Sequence, residues 1–352
     1  MFKTKPTELL IFIDLQAFAD NEGRVINTTT DTKATTGNDL SAEMKTFYDS
    51  ELIEQAGPEL VHDQFAVKKP IPKGNGKTIE FRKYDPLPKA ETPLTEGVTP
   101  SGKALNVTTI TSEVHQYGDY VALTDMLDMT AIDNNIAEAV QLLGKQAGQT
   151  LDTVTRNAMQ SGTNVIYAPT VADGIVTEID SRSSVNRNSL LTVDVVKRAA
   201  ATLRGDNVPK IDGNYVAIIH PFVAHDLMSD PKWEDYHQYA EPENLYSGEI
   251  GRIGGVRFVE STEAKIYGGA GSGGDSVYGC LFFGKGAYAT TEITGGGLQT
   301  IVKQLGSGGV EDALNQRSSV GWKATKTAEI LIEPYILRVE CGSKFAPDAA
   351  SN

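Results

Sequence analysis

Cysteine is scarce in this chain. Two in 352 residues, Cys280 and Cys341, are too few for a disulfide framework and fit synthesis in a reducing cytoplasm. Both lie in apolar runs, 278–283 and 337–341, where free thiols are ordinary packing residues. No run of eighteen apolar residues occurs, so no transmembrane helix is expected. The most apolar early segment, Leu9-Leu10-Ile11-Phe12-Ile13, is broken at Asp14 and lacks the basic start and small-residue cleavage site of a signal peptide. Cations are also in deficit. Against 46 Asp and Glu stand 32 Lys and Arg, a net charge of −14, and only Lys68, Lys69, Lys73 and Lys77 are concentrated. That balance argues against tight nucleic-acid binding, which needs clustered phosphate contacts. There is no internal repeat and no Gly-x-Ser-x-Gly elbow of the usual α/β hydrolases. The 40% hydrophobic and 22% charged residues describe an ordinary globular chain, long enough for two or three domains.

The most informative segment runs from Phe65 to Asp125. Residues 76–84, Gly-Lys-Thr-Ile-Glu-Phe-Arg-Lys-Tyr, alternate as a half-buried strand does. Residues 106–114 form a second run rich in β-branched side chains. Between them Pro86, Pro88, Pro93 and Pro100 exclude a helix interior or central strand, so the connection is extended and irregular. Structureless connections of this length usually have a task of their own. A two-stranded arm without a core is marginal in water and needs a surface to lie on. The simplest such surface is a second copy, which points to an assembly subunit rather than an enzyme.

Elsewhere the patterning predicts a weakly structured segment over 1–60, with a helix capped by Ser41 and stopped at Gly57-Pro58. A long helix is expected over about 135–161, opened by Asn135 and Glu138 and stopped by Gly162. Its apolar stripe is Ile136, Val140, Leu143, Ala147, Leu151, Val154 and Ala158, while Gly144 and Gly148 permit a close neighbour. Residues 190–300 read as a separate α/β unit. Its parts are a helix over 193–204 capped by Thr192 and ended by Gly205, a buried strand at 215–219, a helix opened by Pro221, and strands at 256–259 and 277–283. Two more β runs are expected at 318–325 and 328–341, with Pro334 at an edge or bulge, then an exposed polar tail.

Three patterns imitate catalytic sites. Gly74-Asn75-Gly76-Lys77-Thr78 resembles the end of a phosphate loop, but Ile71 stands where its first glycine belongs and a strand follows where a helix should. Gly269-Ala270-Gly271-Ser272-Gly273-Gly274 fits a dinucleotide fingerprint formally, yet also leads into a strand; a flexible hairpin tip is the better reading. His220, His225 and Asp226 suggest a metal-dependent enzyme only if Pro221 is ignored, and they lack zinc spacing. A turn, a hairpin and a helix start account for the three. No catalytic, cofactor or metal residue is assigned.

Phe47-Tyr48, Leu52, Pro58-Glu59-Leu60-Val61, Gln64-Phe65, Gly76-Lys77-Thr78 and Phe81-Arg82 occur in order. They are followed by Thr92-Pro93-Leu94-Thr95-Glu96-Gly97-Val98-Thr99-Pro100, Tyr117-Gly118-Asp119 and Leu123-Thr124-Asp125. This series resembles the N4-type major capsid proteins of tailed bacteriophages, a branch of the Hong Kong-type (Johnson) capsid fold. The resemblance implies an α+β chain with an N-terminal arm (1–64), an extended hairpin loop (65–117) and a peripheral domain with its spine helix (118–189). An axial domain (190–300) and return strands with a C-terminal tail (301–352) complete it. It implies a structural subunit forming hexamers and pentamers of an icosahedral virion shell, assembled in the bacterial cytoplasm. Portal, scaffolding and decoration proteins are its expected partners, and double-stranded DNA is enclosed with weak contact; no membrane is involved. Lys89, Glu91, Glu96 and Lys103 are the candidate inter-subunit contacts. Some relatives of the fold cross-link a loop lysine to a neighbour's asparagine, but no motif here selects a pair. An encapsulin-like nanocompartment shell of the same fold is the alternative.

Overall fold

A computed structural model describes residues 61–84, 87–99, 102–130, 135–172, 175–233, 251–307, 312 and 314–352. The weakly patterned stretch 1–60, with its helix from Ser41, lies outside the described residues. In chain order the elements are β1 (Val67–Lys68), β2 (Thr78–Tyr84), β3 (Val107–Glu113), β4 (His115–Thr124), α1 (Asp125–Thr130) and α2 (Asn135–Gln160). Then come β5 (Val165–Tyr167), β6 (Thr170–Ala172), β7 (Ile175–Thr177), α3 (Val193–Gly205), β8 (Tyr215–Ile219) and α4 (Pro221–Met228). The rest is β9 (Arg252–Ile253), β10 (Val256–Glu260), β11 (Ile266–Tyr267), β12 (Val277–Phe283), β13 (Tyr288–Thr291), β14 (Gln299–Lys303), β15 (Arg317–Ile330) and β16 (Ile336–Cys341).

Among the described residues the chain divides into two compact units, a larger one of 61–119, Val140–Ile301 and Gly321–Asn352 and a smaller one of Tyr120–Ala139 and Val302–Val320. In the smaller unit, Thr124 Oγ1 accepts from the Leu127 amide at 3.3 Å and starts α1. The Asp312 carboxylate accepts from the Gln316 and Arg317 amides at 3.0 and 2.9 Å, holding the turn before β15.

The larger unit is organised by a seven-stranded mixed sheet ordered β5-β16-β12-β8-β10-β9, with β11 on β12. Its centre is wholly apolar because both faces are covered, as in a doubly covered sheet. On one face Tyr215, Ala217 and Ile219 of β8 meet Val196, Leu203 and Leu227 from α3 and α4. On the other, Val216 and Ile218 meet Met159 of α2 and Tyr288 of β13. This alternation explains why a five-residue strand is apolar throughout. Cys280 and Cys341 lie buried on neighbouring strands with their Sγ atoms 3.7 Å apart.

Helix α2 occupies the expected span, but its buried face does not stay apolar. Leu143, Ala147 and Leu151 are buried as the spacing predicts, whereas Val154 and Ala158 are only half-buried. In their place Asp152, Thr155, Arg156 and Gln160 turn inward. Each has a partner, which is the condition for burying polar groups. Arg156 Nη1 donates to the Glu263 carbonyl at 2.7 Å and Gln160 Nε2 to the Gly279 carbonyl at 2.8 Å. The side chains of Ile136 and Val140 lie outside the described residues.

Several local expectations change. Gly144 and Gly148 face open space within the chain. Gly162 does not stop α2 by a left-handed turn. The Arg338 guanidinium donates to the Gln160 and Gly162 carbonyls, and a Cβ at 162 would press on Ile330 Cδ1 at 3.2 Å. Thr192 holds the N-cap position of α3, but the Asp230 carboxylate accepts the Val193 amide at 3.0 Å. Gly205 remains helical, and Asn207 takes the left-handed conformation. The expected runs 318–325 and 328–341 are instead one fourteen-residue strand, β15, and the six residues of β16. Pro334 sits in the 3-10 turn between them. β16 joins β12 and β5, not β15. The tail is exposed at 348 and 350–352, as expected, and it is also tied down: Asn352 bonds the Ile266 amide and the Ala264 carbonyl at 2.9 Å each, and Tyr278 Oη donates to the Ala346 carbonyl at 2.6 Å.

Candidate assembly surface

Among the described residues the arm is anchored at its root and unsupported beyond it. The anchor begins at His62, whose amide and Nδ1 lie 2.8 and 2.6 Å from the two carboxylate oxygens of Asp152 on α2. Tyr288 Oη donates to the His62 carbonyl at 2.5 Å. Next door, Asp63 lies 3.0 Å from Lys326 Nζ and 3.3 Å from Lys68 Nζ, and these cations hold its carboxyl below the usual carboxylate range against the opposing effect of burial. β1 then pairs in parallel with β13, and Ile71 bridges Ile293. The turn that follows uses Gly74 and Gly76 at positive φ, a conformation L-residues with a Cβ adopt at a cost.

β2 and β3 pair antiparallel in full register, from Thr78 opposite Glu113 to Tyr84 opposite Val107. The inner face carries Phe81, buried under Lys69 Nζ at 5.6 Å from its ring, and Ser112, whose Oγ lies 3.0 Å from Thr327 Oγ1 of β15. The outer face carries Thr78, Glu80, Arg82 and Tyr84, all exposed. Support then ends. The described residues of the connection (87–99 and 102–106) are all exposed and lack helix or strand, as the prolines require. Leu87, Leu94, Val98 and Leu105 stand 54%, 78%, 63% and 66% exposed. Four large apolar side chains on one irregular loop form a surface that water does not favour.

Lys89, Glu91, Glu96 and Lys103 are distributed along this connection, each exposed. None makes an ion pair among the described residues. The fold does not bring them together into one site; it displays them in sequence. The apolar residues beside them were legible only as loop residues, because their exposure depends on there being no packing element against them among the described residues.

The imitation sites dissolve in the structure. Lys77, in the phosphate-loop lookalike, pairs with Glu113 and leads into β2. The 269–274 glycines make a 3-10 turn between β11 and β12, and it is a pinned rather than flexible one: Ser272 donates to the Val185 carbonyl at 2.7 Å. His220 is the N-cap of α4 and accepts from the Phe222 amide at 3.2 Å; burial pushes its pKa down to about 4. Asp226 accepts from Ser343 Oγ and the Lys344 amide at 2.7 and 2.9 Å with one carboxylate oxygen, and the other lies 3.6 Å from Nδ1 of the exposed His225, so two of the three candidates are neighbours. Among the described residues no group of three His, Cys, Asp or Glu side chains is arranged for a metal.

The family pattern described as phage capsid protein matches residues 107–334, well over half of the chain. The chain belongs to the phage capsid protein family. No curated protein sequence matches it. Among solved structures, the capsid of the cyanophage P-SCSP1u is similar with a TM-score of 0.63 and 15% identity, over 90% of this chain and 100% of that one. The capsid of Ralstonia phage GP4 gives 0.61 and 16%, over 91% and 100%. A chain from Mycobacterium phage Che8 gives 0.56 and 12%, over 84% and 96%. At such identities the likeness is one of fold, and it agrees with the Hong Kong-type capsid architecture expected from the sequence. The family match begins at Val107, so the root strand β3 lies inside it and the connection from 87 to 106 lies before it.

Proposed function

We propose that this capsid-family chain is the repeating subunit of an icosahedral shell enclosing double-stranded phage DNA. Hexamers and pentamers form through the axial region within 190–300, while 118–189 and 301–352 supply the peripheral region. The observation that carries the reading is the arm: a root tied to its own chain by paired strands and a buried His62–Asp152 contact, and a connection over 87–106 with exposed apolar residues and no core. Such a device is stable only against a neighbour. In a closed shell every copy supplies the neighbour and every copy receives an arm, so one modest contact is repeated by symmetry. Lys89, Glu91, Glu96 and Lys103 then set the docking register through charge rather than bulk affinity.

The string Leu94-Thr95-Glu96-Gly97-Val98-Thr99-Pro100 supports the N4-type branch over an encapsulin-like shell. The net charge of −14 supports a wall that contacts packaged DNA weakly. Assembly in the host cytoplasm suits two buried, reduced thiols. Portal, scaffolding and decoration proteins complete the particle. The chain's role is mechanical, and no residue is given a catalytic part.

Imaging purified particles after nuclease treatment, followed by extraction of protected nucleic acid, tests the reading. Closed shells that protect double-stranded DNA support it. Closed shells filled with protein cargo would place the chain with nanocompartments, and a small soluble oligomer would remove the shell reading.

A further inference from the structure

One dipeptide in this chain carries chemistry that assembly does not use. Asn75-Gly76 is the only Asn-Gly pair in the sequence, and it stands at the entry to the hairpin. The backbone before it is held: Ile71 donates to the Glu292 carbonyl and accepts from the Thr294 amide at 2.8 Å each. A turn follows, closed by the Asn75 amide on the Pro72 carbonyl at 3.2 Å, with Gly74 at a φ of +92° as a type II turn asks of its third residue. β2 begins at Thr78. Between the turn and the strand, Asn75 and Gly76 are exposed and lie outside the β2-β3 ladder. Among the described residues, neither the Asn75 side chain nor the Gly76 amide makes a hydrogen bond. A Cβ added at Gly74 or Gly76 would meet nothing within 4 Å.

Other asparagines in turns differ at the atom that matters. Asn207 and Asn315 take the left-handed conformation, but the next amide is engaged in each case. The Val208 amide donates to the Leu203 carbonyl and the Gln316 amide to the Asp312 carboxylate, both at 3.0 Å. Asn214 is followed by Tyr215, whose amide donates to the Gly255 carbonyl at 2.9 Å. All three followers also carry a side chain, which Gly76 lacks.

We infer that Asn75 is a self-modification site, converted spontaneously to a mixture of aspartyl and isoaspartyl forms. In the first step the Gly76 nitrogen attacks Cγ of Asn75. The N–Cγ bond forms, the Cγ–Nδ2 bond breaks, and Nδ2 leaves as ammonia with the proton that the Gly76 nitrogen gives up. One water then opens the five-membered imide. Opening at Cγ gives aspartate; opening at the main-chain carbonyl gives isoaspartate, in which the chain runs through Cβ and Cγ. The sum is asparagine plus water to acid plus ammonia, and no oxidant or reductant enters. The attack needs a main-chain nitrogen that is free to turn toward the side chain before it. An amide without a partner, on a residue without a Cβ, supplies that freedom. Either product is ionised at neutral pH. It places a carboxylate between Lys73, which makes no ion pair among the described residues, and Lys77, whose partner is Glu113. The isoaspartyl form also lengthens the main chain just before β2. The inference goes beyond the shell reading and does not depend on it.

The test is a time course on the purified full-length chain and on Asn75→Gln, in mildly alkaline buffer, where the attacking nitrogen loses its proton more readily. A parallel course runs in urea. Peptide mass spectrometry follows each asparagine, and an isoaspartate-specific methyltransferase reports the isoaspartyl form. In the folded protein, position 75 should convert about tenfold or more ahead of Asn207, Asn214 and Asn315, a barrier lower by about 1.4 kcal/mol or more. Its folded rate should be close to its rate in urea, because the fold leaves the site free. Glutamine would have to close a six-membered ring, so Asn75→Gln should stay unconverted, and its melting temperature should match the parent's because the site is exposed. Conversion in urea that stops in the folded protein overturns the inference, since the fold would then protect the site. So does conversion of Asn207, Asn214 or Asn315 at the same rate as position 75. Acid formed without isoaspartate overturns it too, because direct hydrolysis would have bypassed the ring.

Discussion

Nδ1 of His62 lies 2.6 Å from Oδ2 of Asp152, and both side chains are almost completely buried. Ninety residues apart in sequence, they tie the entry of the arm to α2. Asp152 also accepts the His62 amide, so one carboxylate serves two donors. Asp152→Ala would leave both donors buried without a partner. Leaving a buried donor without its acceptor costs about 1–3 kcal/mol, and urea unfolding should show a loss of at least that size. A change within experimental error would mean the contact is not held in solution.

Adjacent positions on α2 should behave oppositely. Leu143 is buried at 5% exposure, while Leu142 is 64% exposed. Leu143→Asp places an unpaired carboxylate in the interior and should cost several kcal/mol, enough to unfold a marginally stable domain. Leu142→Asp should change the stability of the unassembled subunit by about 0.5 kcal/mol or less. Soluble expression and thermal melting separate the two. Equal behaviour would place the helix face wrongly.

His220 supplies a pH dependence of known sign. Its pKa in the fold is depressed to about 4 by burial, against about 6.5 in an unfolded chain. The unfolded state therefore takes up the proton first as pH falls. The stabilising contribution of neutral His220 is fully present above pH 6.5 and is lost progressively between 6.5 and 4, at most about 3 kcal/mol in all. Asn keeps the N-cap acceptor and does not titrate. A His220→Asn variant should thus lose less stability than the parent across that window in urea titrations. Parallel pH profiles would contradict the assignment.

Deleting residues 86–102 tests the arm without touching its root, because β2 ends at Tyr84 and β3 starts at Val107. The subunit should fold and melt close to the parent, yet fail to close shells. Normal shells from the deletion would show that the connection is dispensable.

Much of this fold could be read from local pattern. The hairpin strands, the proline-broken connection and the bounds of α2 all follow from periodicity and turn residues within a short window. What could not be read is what depends on distant partners. Asp152, Arg156 and Gln160 look like surface residues on a helical wheel. They are buried because His62, Glu263 and Gly279, 90 to 119 residues away, receive them. Gly162 looks like a helix stop, yet its small size matters because Ile330 and Glu333 crowd it. The polar tail is exposed as its composition suggests, but the hydrogen bond from the Ile266 amide to the Asn352 side chain has no local signal. For the assembly surface, the candidate residues were legible from the lack of a private core, but the exposed Leu87, Leu94, Val98 and Leu105 beside them were not.

The central claim is that the arm rests on another copy. Shells assembled from an equal mixture of isotopically heavy and light subunits, treated with a short lysine cross-linker, test it directly through links from Lys89 and Lys103 to residues outside the arm. If arms lie on neighbours in a symmetric assembly, about half of those links should join one heavy and one light peptide. Links that are always heavy-to-heavy or light-to-light would mean that each arm folds back on its own chain, and the account would be wrong.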